Sequence, residues 1–597
     1  MPPSMTTSAT PVMLTSVARG FLDTAVLAVV VVSVAVILGA VGRLSLWVLA
    51  IGLAAAGTAG FLSMKPLQLS WYRIGAFTAG ISAATSGALG GYGSLELSVL
   101  VSAAVLTVIP IEKPSKIRLH STVVGVVALA IILWVLVPLI VDGGPLGHDE
   151  SAYALKAKSW LFGAPDTGWG LHRGLGLTWY AYPILQAGGE DTGLRTLGLL
   201  GTIGLALAVW RLGSLSSGAR VGAVSALVLI ASPSLLRRGT EFLSDIPSTA
   251  LLVLIVAILW KELEIRGQAS LRLLWVTPVA LAAFYIRYQS ILSLGLILLV
   301  AAGIWWRELK ANPTPVAWLG VLGVFGLVPH FIFASRLTGE PWGIITGTSD
   351  AVRAYVGEGL IDYLLMSPWA LAGYVGIPVA ILAFWWCARV WKQGNRDSRL
   401  ARILLIPALS QILALGLLSH GEPRFIFFPI SLITIAGVNG AVLLSRRLRT
   451  AQKHAFVATG LLLLLGGIAG STGSVRGSVL GRSLNNESVM ISAEMVEDLS
   501  ANASCEVLTS YLPQVTFYSG CETQAFAPGA SANQLLASLD DDKNFMILVE
   551  DGKRQPTDEV VAEMRESSVG DPIRVEVERA DAEIYRFAGA GNQGSDS

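Results

Sequence analysis

The sequence predicts a polytopic α-helical membrane protein that carries a small extracytoplasmic α/β domain at its C-terminal end. Three observations lead there. Charged residues make up only 14% of the 597 residues and hydrophobic ones 53%, about half the charge of a soluble domain. Apolar stretches recur from residue 22 to residue 472, at about the 20 residues a helix needs to cross hydrocarbon. Beyond Thr472 the composition turns polar and the apolar runs shorten to strand length. The 42 basic and 41 acidic residues nearly cancel, so no broad positive field attracts nucleic acid. A disordered chain and an ordinary cytosolic enzyme are excluded on the same composition.

Spans are expected near 22–41, 45–63, 73–90, 95–110, 119–141, 192–210, 221–236, 246–260, 273–286, 289–306, 316–335, 368–388, 402–419, 424–444 and 454–472, roughly fifteen on length. The two around Arg287 could instead form one long interrupted helix. The first stretch is not read as a signal peptide, because it lacks a clear small-residue cleavage site and more spans follow at once. Lys and Arg gather in alternate loops: Lys113, Lys116 and Arg118; Lys261, Arg266 and Arg272; Arg389, Lys392, Arg396 and Arg399; Arg446, Arg447 and Arg449. Such loops belong on the cytoplasmic side. The opposite loops, 142–191, 237–245 and 336–367, are longer and richer in acids, with Arg237 and Arg238 as exceptions. The expectation is a multi-pass plasma-membrane protein with a cytoplasmic N-terminus and an exported C-terminal domain.

That domain, 473–597, shows strand-like runs at 506–510, 515–519, 545–550 and 573–578 and a helical pattern at 558–565. Cys505 and Cys521 flank the first two runs, and a disulfide between them fits an oxidising compartment. Two free thiols are the alternative, since spacing does not fix geometry. Cys387 falls in a span.

Charge at membrane depth is costly, so acids and arginines at the outer ends of spans are candidate functional groups. The first cluster is GHDESAY, with His148, Asp149 and Glu150. A carboxylate pair where a helix leaves the bilayer is placed to take a proton from a bound substrate; the structural alternative is a helix start whose acids complement the dipole. Residues 151–162 read as an amphipathic helix on the membrane surface. The second cluster is RRGTEFLSDIP, with Arg237, Arg238, Glu241 and Asp245. Asp245 can N-cap the next span, and the arginines suit lipid headgroups or a substrate phosphate. Arg287 is third, either snorkelling to the interface or facing an anionic substrate. The fourth is HGEPRFIFFPI, with His420, Glu422 and Arg424 above aromatic residues. A guanidinium over an apolar groove suits a lipid phosphate, and the alternative is a loop closed by a Glu422–Arg424 pair. Trp342 and Tyr355 in the long loop 336–367 are candidate sugar or acceptor contacts. No Walker loop, HExxH, GxSxG or zinc spacing occurs.

These clusters, in this order, resemble the GT-C superfamily of integral-membrane glycosyltransferases, specifically the branch of protein O-mannosyltransferases and the lipid A aminoarabinose transferase. GHDESAY with GLHRGLGLTWYAYPIL and Leu194-Arg195 looks like its first outer loop and the span after it, RRGTEFLSDIPSTALLVL like its second outer loop, and HGEPRFIFFPI like its late His/Glu–Arg–aromatic loop. The resemblance implies a GT-C-like catalytic core at 113–472, preceded by additional spans at 1–112 that serve as scaffold, partner docking or lipid handling. It implies Asp149 as catalytic base with Glu150 beside it. Arg424 would contact the donor's lipid phosphate, Arg287, Arg237 and His420 would assist, and Asp245 would be a second acid. It implies a polyprenyl-phosphate sugar donor, a glycan, lipid or protein acceptor, and inversion at the anomeric carbon. The resemblance spans metal-independent and metal-using enzymes, so no cofactor is assigned and a divalent cation is left open. The sugar is not legible; composition fits a GC-rich bacterial genome, where mannose or arabinose would be candidates. A secondary transporter or flippase, a non-catalytic scaffold, and a GT-C-like oligosaccharide polymerase or ligase are the alternatives.

Overall fold

The computed structural model describes residues 119–588, apart from 142, 351–355, 367, 502–503, 540–542, 551, 553 and 577–580. The four spans expected before residue 112 lie outside the described residues. The principal helices are α1 (Leu119–Val141), α2 (His148–Phe162), α3 (Leu175–Gln186), α4 (Asp191–Ser217), α5 (Ala219–Ile230), α6 (Pro233–Arg238) and α7 (Asp245–Leu259). They continue as α8 (Val276–Ile286), α9 (Ser290–Ile304), α10 (Thr314–Thr338), α11 (Pro368–Val390), α12 (Arg396–Leu418), α13 (Phe427–Ser445) and α14 (Thr450–Ser500). Six helices among the described residues are long and apolar enough to cross a membrane, and shorter apolar helices stand at the other expected positions from 119 onward.

Two helix boundaries differ from the sequence expectation and another, between the two spans expected around Arg287, agrees with it, each for a local reason. The span expected over 221–236 stops at Ile230, because Pro233 cannot continue an α-helix. The chain restarts as α6 with Pro233 in its first turn and the Ser232 hydroxyl accepting from the Leu235 N–H. Around Arg287 there are two helices: the Arg287 backbone is extended (φ −151°, ψ 107°), which turns α8 into α9. The third is α14. It runs 51 residues, about 76 Å at 1.5 Å per residue, straight through the expected boundary at 472. A polar composition marks where water begins, not where a helix must end.

Between helices in lipid there is little hydrophobic drive, so close backbone approach carries the packing. In α13, a Cβ on Gly437 would sit 2.0 Å from the Val379 carbonyl oxygen and one on Gly440 2.4 Å from that of Leu382; α13 therefore lies flush on α11. Phe427 and Phe428 at its start are buried, and they anchor the loop that precedes them.

The C-terminal domain is a five-stranded sheet in the order β2-β1-β3-β5-β4. Its strands are β1 (Cys505–Leu508), β2 (Glu522–Gln524), β3 (Lys543–Val549), β4 (Ile573–Val575) and β5 (Ala582–Ala588). β1 pairs parallel with β2 and β3, while β5 runs antiparallel to β3 and β4. The last turns of α14 join its core through Val489, Ala493 and Val496. The run 515–519, expected as a strand, is instead helix α15 (Leu512–Ser519); so short an apolar run carries no decisive period. A helix α16 (Asp558–Glu566) matches the expectation. Cys505 and Cys521 form a disulfide, and Cys387 is buried and free.

α15 packs on α2. Lys158 donates to the Phe517 carbonyl (2.7 Å), the Leu146 N–H donates to the Tyr518 hydroxyl (2.7 Å), and Gln514 donates to the Leu146 carbonyl (3.1 Å). Tyr153, Ala154, Leu155 and Ala157 are buried. The expected surface amphipath is thus an internal helix, wedged between the bundle and the C-terminal domain. Its apolar face is satisfied by protein.

Candidate functional site

α2 opens at Gly147, and its first turn carries both acids of the first cluster. They have different fates. Glu150 is 5% exposed. Its Oε2 accepts from the Gly147 N–H (2.9 Å) and from Arg195 Nη2 (3.2 Å), and its Oε1 from the Phe242 N–H (2.8 Å). Arg195 also donates to the Pro145 carbonyl (2.9 Å). This knot ties α2 to α4 and to the loop before α7.

Asp149 stands at the edge of that knot. Its Oδ1 accepts from Arg173 Nη2 (2.7 Å) and its Oδ2 from Arg424 Nη1 (2.9 Å). Arg424 reaches it from the turn before α13. Gly421, at φ +73° and with no room for a Cβ beside Asp362, shapes that turn. Burial alone would raise the Asp149 pKa, but the Arg424 and Arg173 guanidinium groups outweigh it and hold the carboxyl well below the usual carboxylate range.

From Arg424 the charges continue in a row. Its Nη2 lies 2.8 Å from Glu422 Oε2, Glu422 Oε1 is 3.3 Å from Arg238, and Arg238 is 2.7 Å from Glu241, which also pairs with Arg482 of α14. Beside the row, Arg287 pairs with Asp245 and donates to Gln289 (2.8 Å). Arg287 and Arg424 both lie over the Phe425 ring, at 5.2 and 5.8 Å. A narrow cleft of about 30 Å³ opens here. Asp245, Arg287 and Arg424 are among its polar lining, and Leu252, Leu415 and Phe425 among its apolar lining. Two guanidinium groups beside apolar side chains are a donor set that suits a lipid phosphate.

The structure thus brings together Asp149, Arg424, Arg287, Asp245 and, through an edge contact with Phe425 at 5.5 Å, His420. Asp245 is not the expected N-cap. Ser244 holds that position, and the Asp245 carboxylate is committed to Arg287. Arg237 is exposed and its side chain forms no ion pair among the described residues; Arg238 takes the place in the row expected of it. His148 is exposed beside Asp149. Trp342 is exposed and stacks edge-on with Phe331, and no contact among the described residues joins it to the cluster. Tyr355 lies outside the described residues. Sequence reasoning missed Arg173 and Arg482. The signal for Arg173 was an arginine inside a glycine-rich outer segment, GLHRGLG, on the side where basic residues are disfavoured. Among the described residues no three His, Cys, Asp or Glu side chains converge on a metal-sized point. Asp149, Glu150 and Asp245 face guanidinium groups instead.

The structure of ArnT from Cupriavidus metallidurans bound to undecaprenyl phosphate aligns with a TM-score of 0.57 at 14% identity, covering 78% of this chain and 98% of that one. The chain has the fold of ArnT. The apo form of ArnT aligns almost equally, at 0.56 over 78% and 97%. An archaeal oligosaccharyltransferase, AglB from Archaeoglobus fulgidus, in complex with an inhibitory peptide and a dolichol-phosphate, aligns at 0.48 with 12% identity over 72% and 69%. No protein-family model and no curated protein sequence matches the chain. The ArnT fold is therefore carried here by a sequence far from it.

Proposed function

We propose that this protein is an integral-membrane glycosyltransferase that moves a sugar from a polyprenyl phosphate to an acceptor hydroxyl at the extracytoplasmic face. The observation that carries this reading is Arg424, which lines the cleft and at the same time binds the Asp149 carboxylate 2.9 Å away. The likeness of fold to an ArnT that binds undecaprenyl phosphate supports it.

The donor lipid lies with its phosphate at Arg424 and Arg287 and its tail along Leu252 and Leu415. The acceptor oxygen attacks the anomeric carbon from the face opposite the phosphate, and Asp149 takes its proton. As the new C–O bond forms, the bond to the phosphate oxygen breaks. The electron pair leaves with the lipid phosphate, whose developing charge the two guanidinium groups stabilise. A single displacement inverts the anomeric centre. The donor is already activated, so no nucleotide site is needed. Glu150, with its oxygens all committed, shapes the site from behind. The acceptor is a glycan, lipid or protein hydroxyl, and the sugar a hexose or pentose. The disulfide of the C-terminal domain supports an exported, oxidising location for this face.

Membranes containing Asp149→Asn should lose transfer of radiolabelled lipid-linked sugars by about 10²–10⁴-fold, the scale of a lost general base, while the protein remains folded. Full activity of that variant sinks the proposal. Arg424→Ala should weaken donor binding more than acceptor binding; the reverse pattern removes its role.

A further inference from the structure

The carboxylate that must accept a proton has both oxygens occupied. Asp149 Oδ1 is held by Arg173 and Oδ2 by Arg424, and a carboxylate in two charge-assisted hydrogen bonds is a poor base. Its two partners are not equally fixed. Arg173, with its side chain 9% exposed, also donates to the Gly168 carbonyl at 3.0 Å, which pins it to its own loop. Arg424 sits in the cleft, and its buried Nε–H has no hydrogen-bond partner. A buried donor without an acceptor is costly, so the Arg424 head is left short of one anionic oxygen. Its other neighbour, Glu422, keeps Arg238 as a partner when Arg424 moves.

We infer that Arg173 and Arg424 latch Asp149, that a lipid phosphate releases it by drawing Arg424 off Oδ2, and that Arg173 is the positioning residue that keeps the freed carboxylate aimed. This deepens the transferase reading above and rests on it. Phosphate and carboxylate compete for the same Arg424 N–H groups. Once the phosphate holds them, Oδ2 is open to the acceptor hydroxyl, takes its proton as the C–O bond forms, and passes it to water when Arg424 returns. Donor binding therefore precedes productive acceptor binding, and the base is idle on the empty enzyme.

The test is equilibrium binding of undecaprenyl phosphate to the full-length protein in nanodiscs, with melting temperatures recorded for every variant. Because Asp149 competes with the phosphate, Asp149→Asn should bind undecaprenyl phosphate about 5–10-fold tighter than wild type, the range of one lost charge-assisted contact. Arg424→Ala should bind it more than about tenfold weaker. Arg173→Gln should bind it within about twofold, yet lose kcat at unchanged donor KM, and Arg173→Lys should restore most of the rate. If Asp149→Asn binds no tighter while Arg424→Ala still loses binding, the latch is wrong and the phosphate site stands. Should Arg424→Ala bind normally, the phosphate site itself is wrong. Loss of binding in Arg173→Gln equal to that in Arg424→Ala would make Arg173 a phosphate ligand and overturn its positioning role.

Discussion

Two neighbouring carboxylates, Asp149 and Glu150, show how one residue of offset along a helix separates a half-open carboxylate from an enclosed one. Glu150 points into a protein knot that includes two backbone N–H groups and Arg195. Removing its charge leaves Arg195 buried without a counter-ion, and breaking a buried pair in this way costs about 3–5 kcal/mol. Glu150→Gln should therefore lower the melting temperature sharply, and its remaining activity should track the folded fraction; a stable but inactive variant would return Glu150 to the chemistry. Asp149 is the reverse case, and pH separates the two. Its pKa is depressed by Arg424 and Arg173 against the opposing effect of burial, so its contribution to stability is complete above the unfolded value near 3.9 and is lost as pH falls towards the folded one. The stability difference between wild type and Asp149→Asn should be flat from neutral pH down to about 5 and close only below about 4. A difference that already closes near neutrality would contradict the double guanidinium clamp. Asp149, Arg287 and Arg424 were legible in the sequence because acids and arginines at span ends are rare. That Glu150 is enclosed by Arg195 and two backbone N–H groups was not, since the sequence places both acids in one turn and says nothing of which meets Arg195.

At the scale of elements, Asp149 is held from two sides. α2 rests on the bundle through Glu150 and on the C-terminal domain through Leu146, Lys158 and their bonds to α15. Helix α15 lies inside the loop closed by the Cys505–Cys521 disulfide, whose ends are 16 residues apart. A bridge over a loop of that size contributes about 3 kcal/mol. Replacing both cysteines with serine should cost the domain about 2–3 kcal/mol and reduce transfer as well, because α15 loosens its hold on α2. Unfolding of the domain followed beside activity in membranes checks this, and undiminished stability would show that α14 and the sheet hold α15 without the bridge. Apolar length made the helical elements legible from 119 onward. Three details were not. Pro233 broke a span that hydropathy ran through, α14 carried helix past the point where composition changed, and 515–519 was too short to declare its period. Each is decided by backbone hydrogen bonding or tertiary cover, which hydropathy does not report.

For the whole molecule, the charges on the loops expected to face outward explain one another. In the proposed orientation Arg237, Arg238 and Arg482 stand on the side where basic residues are disfavoured, yet Arg238 and Arg482 are bound to Glu241 and Glu422, and the row continues to Arg424. The loops with unmatched basic excess, such as Lys392 between α11 and α12, lie at the other ends of the helices. Both α9 and α12 have one end at the candidate site, at Arg287–Ser290 and Ser419–Glu422, and the other about 22 and 34 Å away over their 15 and 23 residues at the α-helical rise. The exported domain contacts α2 directly, so the site and that domain share one side. In a background with Cys387→Ser, Asp558→Cys on the exposed start of α16 should react with a membrane-impermeant maleimide on intact cells. Lys392→Cys, exposed in its loop, should react only after permeabilisation. Labelling of Lys392→Cys from outside would turn the molecule over, bring the Asp149–Arg424 cluster to the cytoplasmic face, and remove the extracytoplasmic donor from the mechanism.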